Sequence, residues 1–434
     1  MPGKYWLETY GCQMNFAESN AIEIEFATAG FIPALTPEEA DIAVLNTCSV
    51  RQTAENRIWG RLGFFQHLKD SQELTVILTG CMAERLSEDI KKKSPAVDYV
   101  VGTNDKQRII EVIRGIADAS DEYQFKSSYE GKSKSKSLLP IMNGCNNFCS
   151  YCIVPYVRGR EVSRDPDDIL KEIKSLLEHG IKEVTLLGQN VNSYKFQRDN
   201  HIVSFPNLLR LISDAMPEDS WIRFLSPHPK DFSDDLINLI AERNNICSHL
   251  HLPVQSGSNA VLKRMKRKYT REHYISLINK LKKADNSITF STDILVGFPG
   301  ETDADFEETL SLFSEIGYLD AFMYYFNPRE GTEAMSFPDH LDNDKKLKRL
   351  QTLIEFQRNN SSNIKQMRLN REVKVLCEGF SKKDKQAMLT RTEHDEIVIV
   401  KDPSVKIGDF INVTITSLNG NTYMGEVICL GKQS

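Results

Sequence analysis

Residues 142–161 read Met-Asn-Gly-Cys-Asn-Asn-Phe-Cys-Ser-Tyr-Cys-Ile-Val-Pro-Tyr-Val-Arg-Gly-Arg-Glu, and the rest of the chain is best read outward from them. Cys145, Cys149 and Cys152 stand in a Cys-x3-Cys-x2-Cys spacing, with Tyr151 directly before the last cysteine. A saturated thiolate site takes four sulfurs, in structural zinc sites and ferredoxin-type clusters alike. This segment supplies three. On a four-iron cluster, three thiolates leave one iron open to a ligand that reacts. Three buried structural cysteines are the alternative, but a loop rich in Gly, Asn and Ser offers them little apolar burial.

Around this loop, from 138 to about 340, short apolar runs alternate with helical stretches. Strands are expected at 138–142, 183–188, 221–225, 249–254, 288–297 and 321–326, with the cysteine loop directly after the first. The cysteine spacing and the strand count resemble the radical S-adenosylmethionine (SAM) superfamily and its partial (β/α)6 barrel. That resemblance implies that the open iron chelates the amino and carboxylate groups of SAM, with Tyr151 near the adenine. Ligands of such barrels sit at the carboxyl ends of the strands, so the polar residues there form one expected site edge. These are Gly188, Gln189 and Asn190 after the second strand, Ser226 and His228 after the third, and Gln255 after the fourth. Residues 188–192 resemble the position where the superfamily holds the SAM amino group.

Upstream, residues 4–118 show the same alternation, with strands expected at 5–10, 41–47, 75–80 and 98–101 and a helix after each, which argues for a parallel α/β sheet. Cys12, Cys48 and Cys81 each fall just past the carboxyl end of one of these strands. In an open parallel sheet those ends share one edge, so three distant cysteines can converge there on a second three-thiolate site. Small residues filling tight strand-to-helix turns are the plainer alternative.

Composition bounds the rest. The 434 residues are 40% hydrophobic and 26% charged, as expected for about three globular domains. No apolar run approaches the roughly 20 residues of a membrane span, and the start lacks a signal-peptide layout, so a cytoplasmic location is expected. In that reducing compartment nine cysteines read as ligands rather than disulfides. A net charge of -6 gives no global sign of nucleic-acid binding. Locally, residues 119–137 end in alternating Lys and Ser and read as a basic linker. Residues 263–271 hold six basic residues around Tyr269, suited either to a phosphate backbone or to a solvated helix end. After a long charged helix at 343–370, five short strands from 372 to 429 read as a small β-barrel of a type that often binds RNA. Cys247, Cys377 and Cys429 have no matching partners in the pattern and read as core.

With both cysteine triplets and the terminal barrel placed, the whole chain resembles the radical SAM methylthiotransferase family. Thr-Tyr-Gly-Cys-Gln-Met-Asn at 9–15 and Cys-Ile-Val-Pro-Tyr-Val-Arg-Gly-Arg at 152–160 are most similar to the branch acting on isopentenylated adenosine in tRNA. The implied domains are 1–118 (methylthiotransferase N-terminal domain), a linker at 119–137, a radical SAM core at 138–370 and a TRAM-like barrel at 371–434. The resemblance further implies two 4Fe-4S clusters, an auxiliary one on Cys12, Cys48 and Cys81 and a radical-forming one on Cys145, Cys149 and Cys152. The expected reaction is SAM-dependent methylthiolation of carbon 2 of N6-(dimethylallyl)adenosine at position 37 of tRNA. Threonylcarbamoyl-adenosine in tRNA and a ribosomal-protein aspartate are the alternative substrates, and a non-enzymatic RNA-binding iron-sulfur protein is the alternative class. No side chain is assigned as acid or base, since an aromatic C–H offers neither a handle. Expected partners are the tRNA anticodon stem-loop, SAM, an electron donor and a sulfur source, with no membrane and a monomeric chain.

Overall fold

A computed structural model describes residues 3–49, 52–103, 107–115 and 134–428, so residues 119–133 of the expected linker, and Cys429, lie outside the described residues. The described residues fall into two units. The first takes the described residues before 131 together with Leu138–Asn146 and Cys152–Val162, and the second takes the remainder, including Asn147–Tyr151.

In the first unit the strands are β1 (Lys4–Thr9), β2 (Ile32–Pro33), β3 (Ile42–Thr47), β4 (Thr75–Gly80) and β5 (Tyr99–Val101). They form one parallel sheet in the order β2-β1-β3-β4-β5. The connecting helices are α1 (Gln13–Thr28), α2 (Gln52–Lys69), α3 (Cys81–Lys93) and α4 (Gln107–Arg114). Every residue of β3 is buried, as a central strand covered on both faces requires. The period-2 alternation divides its side chains between two cores. Ala43 and Leu45 join Val76, Leu78, Ile58 and Phe65 on one face, while Ile42 and Val44 join Ile77, Phe26 and Ile109 on the other. The two-residue β2, an exposed edge beside β1, has no apolar alternation to announce it and is absent from the strands expected above.

The second unit carries the counterparts of five of the six expected core strands, while most of Lys136–Pro140, the counterpart of the first, falls in the first unit. Trp221–Phe224 pairs in parallel with Glu183–Leu187. His249–His251, Thr289–Val296 and Asp320–Tyr325 form a second parallel sheet. A parallel bridge from Ile222 to Ile246 runs between them. The exposed hairpin Lys195–Arg198 with His201–Ser204 is an addition that the sequence pattern does not reveal.

Beyond the helix Asn343–Gln366, five strands close into a barrel. These are Glu372–Phe380, Met388–Thr392, Ile397–Val400, Phe410–Asn419 and Thr422–Val427. Val375, Val398, Val413, Ile415 and Tyr423 fill it. Gly425 keeps the interior open, because a Cβ there would stand 2.8 Å from Val398 Cγ1. Register shifts at Cys377/Gly379 and Ile415/Ser417 supply the bends that closure demands.

This barrel is bound to the core strands by buried contacts. Arg223 donates to the carbonyls of Glu393 (2.6 Å) and Thr392 (2.8 Å), and its Nε lies 3.0 Å from the Glu183 carboxylate. Trp221 meets Phe410 edge-on at 4.8 Å, beside Cys247 and Leu376. His394 Nδ1 stands 3.2 Å from both the Ser248 carbonyl and Thr289 Oγ1.

Candidate functional site

In the first unit, parallel register brings the strand ends level: Thr9 pairs with Asn46, and Thr47 with Gly80. Cys48 therefore leaves β3 beside the place where Cys81 opens α3, and Cys12 sits at the N-cap of α1 on the same edge. Two glycines make the convergence sterically feasible. Gly11, at φ +125°, leaves the room in which Cys48 lies; a Cβ on it would stand 2.6 Å from Cys48 Cβ and 3.1 Å from its sulfur. Gly80, at φ +92°, has no space for a Cβ against the Thr47 carbonyl. A side chain at Gly80 would meet both a disfavoured backbone region and that clash, so Gly80→Ala is expected to cost about 1–3 kcal/mol in strain alone. Thermal unfolding should show the loss directly.

Asn15 ties this edge together. Its Nδ2 donates to the carbonyls of Tyr10 (3.0 Å) and Thr47 (2.9 Å), and Asn46 Nδ2 donates back to the Asn15 carbonyl at 2.9 Å. Cys48 and Cys81 are buried, Cys12 is exposed, and all three are free thiols. Burial pushes the Cys81 thiol upward in pKa, against the guanidinium of Arg158 nearby. Arg158 closes the helix Val154–Arg158, whose Val157, together with the N-cap Ile153, packs on Cys81. It pairs with Glu18 (2.8 Å), also donates to Asn15 Oδ1 (3.2 Å) and Asn143 Oδ1 (3.3 Å), and is itself buried.

Among the described residues no group of three or more His, Cys, Asp or Glu is gathered as for a single metal ion. A polynuclear cluster makes a different demand, because each thiolate binds its own iron. Three free thiols on one sheet edge, with a glycine-made recess and no carboxylate or imidazole among the donors, suit a soft iron-sulfur group.

The loop with the other three cysteines is shared by the two units. In the first, Cys145 N donates to the Gly159 carbonyl at 3.1 Å, and Asn146 N to Glu161 at 3.1 Å. In the second, Ser150 N donates to the Met265 carbonyl (3.1 Å), Ser150 Oγ to the Arg264 carbonyl (2.8 Å), and Ala334 N to the Ser150 carbonyl (2.8 Å). Tyr151 packs on a cluster of Val261, Met265, Phe298, Phe326 and Ala334. Cys145 and Cys149 are buried and Cys152 is partly exposed, all as free thiols.

Gly188 directly follows Glu183–Leu187, Ser226 and His228 lie just past Trp221–Phe224, and Gln255 comes further on, since the strand expected at 249–254 ends at His251. Ser226 (φ +62°) and Gln255 (φ +74°) hold left-handed backbone conformations, as do Phe148 (φ +48°) and Lys266 (φ +57°). Such strain costs about 1–3 kcal/mol per residue and concentrates at functional sites. Gln255 N donates to the Asp293 carbonyl at 2.9 Å, fixing this end to the neighbouring strand. Asn190 Nδ2 donates to Asp231 at 2.9 Å. His228 exchanges two bonds with Asn192, its N–H donating to Oδ1 at 2.7 Å and its carbonyl accepting from Nδ2 at 3.0 Å. Burial, with Arg267 nearby, holds the His228 imidazole down at about 2, so it stays neutral.

The basic stretch 263–271 does not act as one patch. Lys263, Lys266 and Lys268 are exposed, but Arg267 and Tyr269 are buried. Arg267 Nη1 donates to Cys149 Sγ at 3.5 Å, Nη2 to the Pro253 carbonyl at 2.9 Å, and Nε to Tyr269 OH at 2.9 Å. Sequence reasoning misses the inward turn of both Arg267 and Arg158. The partners of Arg158 at Glu18 and of Arg267 at Cys149 lie more than a hundred residues away along the chain, beyond any local pattern.

Three family models match the chain. The Radical SAM superfamily matches residues 139–313, the Uncharacterized protein family UPF0004 residues 4–102, and the TRAM domain residues 366–428. Among curated proteins, the chain is 44% identical to a tRNA-2-methylthio-N6-dimethylallyladenosine synthase of Treponema pallidum, over 98% of both chains. It is also 44% identical to the synthase of that name from Treponema denticola, over 98% of this chain and 99% of the relative. The namesake from Phocaeicola vulgatus is 40% identical, over 98% and 96%. Among solved structures, the radical SAM methyltransferase TsrM of Kitasatospora setae shares the fold, at a TM-score of 0.57 and 13% identity, over 77% of this chain and 74% of that one.

Proposed function

We propose a function from one premise, that the chain belongs to the radical SAM methylthiotransferase family, within which its full-length relatives are tRNA-2-methylthio-N6-dimethylallyladenosine synthases. The chain methylthiolates carbon 2 of N6-(dimethylallyl)adenosine at position 37 of tRNA. The full-length likeness to those synthases is the observation that carries this reading. The geometry supports it, since a second three-cysteine edge distinguishes a methylthiotransferase from a radical enzyme with a single cluster.

SAM and iron-sulfur clusters, when bound, supply the radical that removes the hydrogen and the sulfur and methyl that replace it. In our reading Cys145, Cys149 and Cys152 hold one 4Fe-4S cluster and Cys12, Cys48 and Cys81 the other. Gly188, Gln189, Asn190, Ser226, His228 and Gln255 line the SAM edge, and Tyr151 lies by the adenine. The terminal barrel, residues 371–434, is assigned to the anticodon stem-loop, whose unpaired bases can be splayed out and read. The enzyme works as a cytoplasmic monomer, with an external electron donor and sulfur source.

Anaerobic reconstitution followed by iron and sulfide analysis should give about eight irons per chain, from two four-iron clusters. With SAM and reductant, stem-loops carrying dimethylallyl-adenosine should gain a methylthio group by mass spectrometry, and those carrying threonylcarbamoyl-adenosine should not. The reverse preference would move the chain to the other tRNA branch.

A further inference from the structure

The buried arginines of the two cysteine sites differ in one respect. Arg158 has its own acid: Glu18 lies 2.8 Å away, and both side chains are almost fully buried. Arg267 has none. Its partners are a phenol, a peptide carbonyl and the Cys149 sulfur, and among the described residues no carboxylate stands within ion-pair distance of it. Its side chain is buried, like that of Arg158. An unpaired buried cation is strongly disfavoured, and Arg remains charged at any pH a protein meets. The fold holds this charge rigidly: Tyr269, which accepts from Arg267 Nε, is itself fixed by donation to the Val254 carbonyl at 2.9 Å. An anion is therefore expected where the fork points, and Cys149 stands there.

We propose that Arg267 is a positioning residue whose charge balances the radical-forming cluster through the Cys149 sulfur and sets that cluster's reduction potential. This rests on the cluster assignment under Proposed function. Three thiolates on a four-iron cluster give a net negative assembly, more negative after one electron is added. A fixed cation with an N–H···S bond stabilises the reduced form more, and raises the potential. Arg158 lacks this leverage, since Glu18 cancels most of its charge at short range.

The full-length protein, reconstituted with both clusters, tests this through redox titration followed by electron paramagnetic resonance. The signal that changes when SAM is added marks the radical-forming cluster, and its midpoint is read without SAM. Arg267→Gln keeps a polar group but loses the charge, while Arg267→Lys keeps the charge and loses the fork. The expected result is a more negative midpoint for the SAM-responsive signal in R267Q, a midpoint near wild type in R267K, and no change in the other signal. An unshifted midpoint in fully loaded R267Q overturns the proposal, as does an equal shift in both variants. Should R267Q fail to retain iron, R267K decides: full iron and a wild-type midpoint support a charge role, and loss of iron from R267K as well overturns it. A wild-type protein with no SAM-responsive signal would instead sink the cluster reading on which the proposal stands.

Discussion

Cys81→Ala is expected to lose the methylthio product entirely while 5′-deoxyadenosine formation continues. The substituted sulfur belongs to the auxiliary edge, whereas SAM cleavage is assigned to Cys145, Cys149 and Cys152. The fold should tolerate the change. Cys81 is a small buried residue against Ile153 and Val157, so removing its sulfur opens a cavity worth about 1 kcal/mol. The network beside it survives, because Arg158 keeps Glu18, Asn15 and Asn143 as partners. Iron should drop from about eight to about four per chain. Circular dichroism separates loss of a cluster from loss of the domain that the cluster helps to hold. A well-folded Cys81→Ala protein making product at the wild-type rate would show that the sulfur does not come from this edge.

How far the sequence reached depended on the range of the physical signal. Strands such as β3 and β4 are legible because both faces are buried and the apolar run is continuous, with turn residues at each end. Their carboxyl ends then locate Cys48 and Cys81, because parallel topology puts those ends on one edge. The short β2 and the hairpin at Lys195–Arg198 are illegible for the opposite reason: they are exposed and bury too little to impose a pattern. Charge proved the most misleading local signal. The run at 263–271 reads as a phosphate-binding stretch or a solvated helix end, yet Lys266 takes a left-handed conformation and the chain turns Arg267 inward to Cys149. Only tertiary contact distinguishes that arginine from the lysines flanking it. The same holds for Arg223, an arginine inside an otherwise apolar strand whose partners at Thr392 and Glu393 lie in the terminal barrel.

Deleting residues 371–434 is expected to abolish SAM cleavage together with tRNA binding, although the change in sequence pattern near 371 reads as a separable module. The reason is what the barrel covers. Arg223 gives two charge-assisted hydrogen bonds to barrel carbonyls, each worth about 1.5–3 kcal/mol. Their loss leaves a guanidinium with only Glu183 beside it at a newly exposed boundary. Trp221 loses its edge contact with Phe410, about 0.5–1.5 kcal/mol beyond the apolar area uncovered. His394 leaves Ser248 and Thr289, at the starts of two core strands. These losses together rival the roughly 5–15 kcal/mol that holds a typical domain folded. The core strands are the elements that place Ser226, His228 and Gln255, so their loosening should reach the proposed SAM edge. Substitution on the barrel's exposed loop provides the contrast. Lys382, Lys383 and Lys385 are solvent-facing, and changing all three to Glu should leave the melting temperature and SAM cleavage nearly unchanged while weakening any RNA contact made there. Melting temperature, SAM cleavage and stem-loop affinity measured on both proteins give the comparison. A truncated protein that melts like the full chain and cleaves SAM at the full rate would mean that the buried contacts of Arg223, Trp221 and His394 contribute little, and that the barrel is an appendage held for RNA alone.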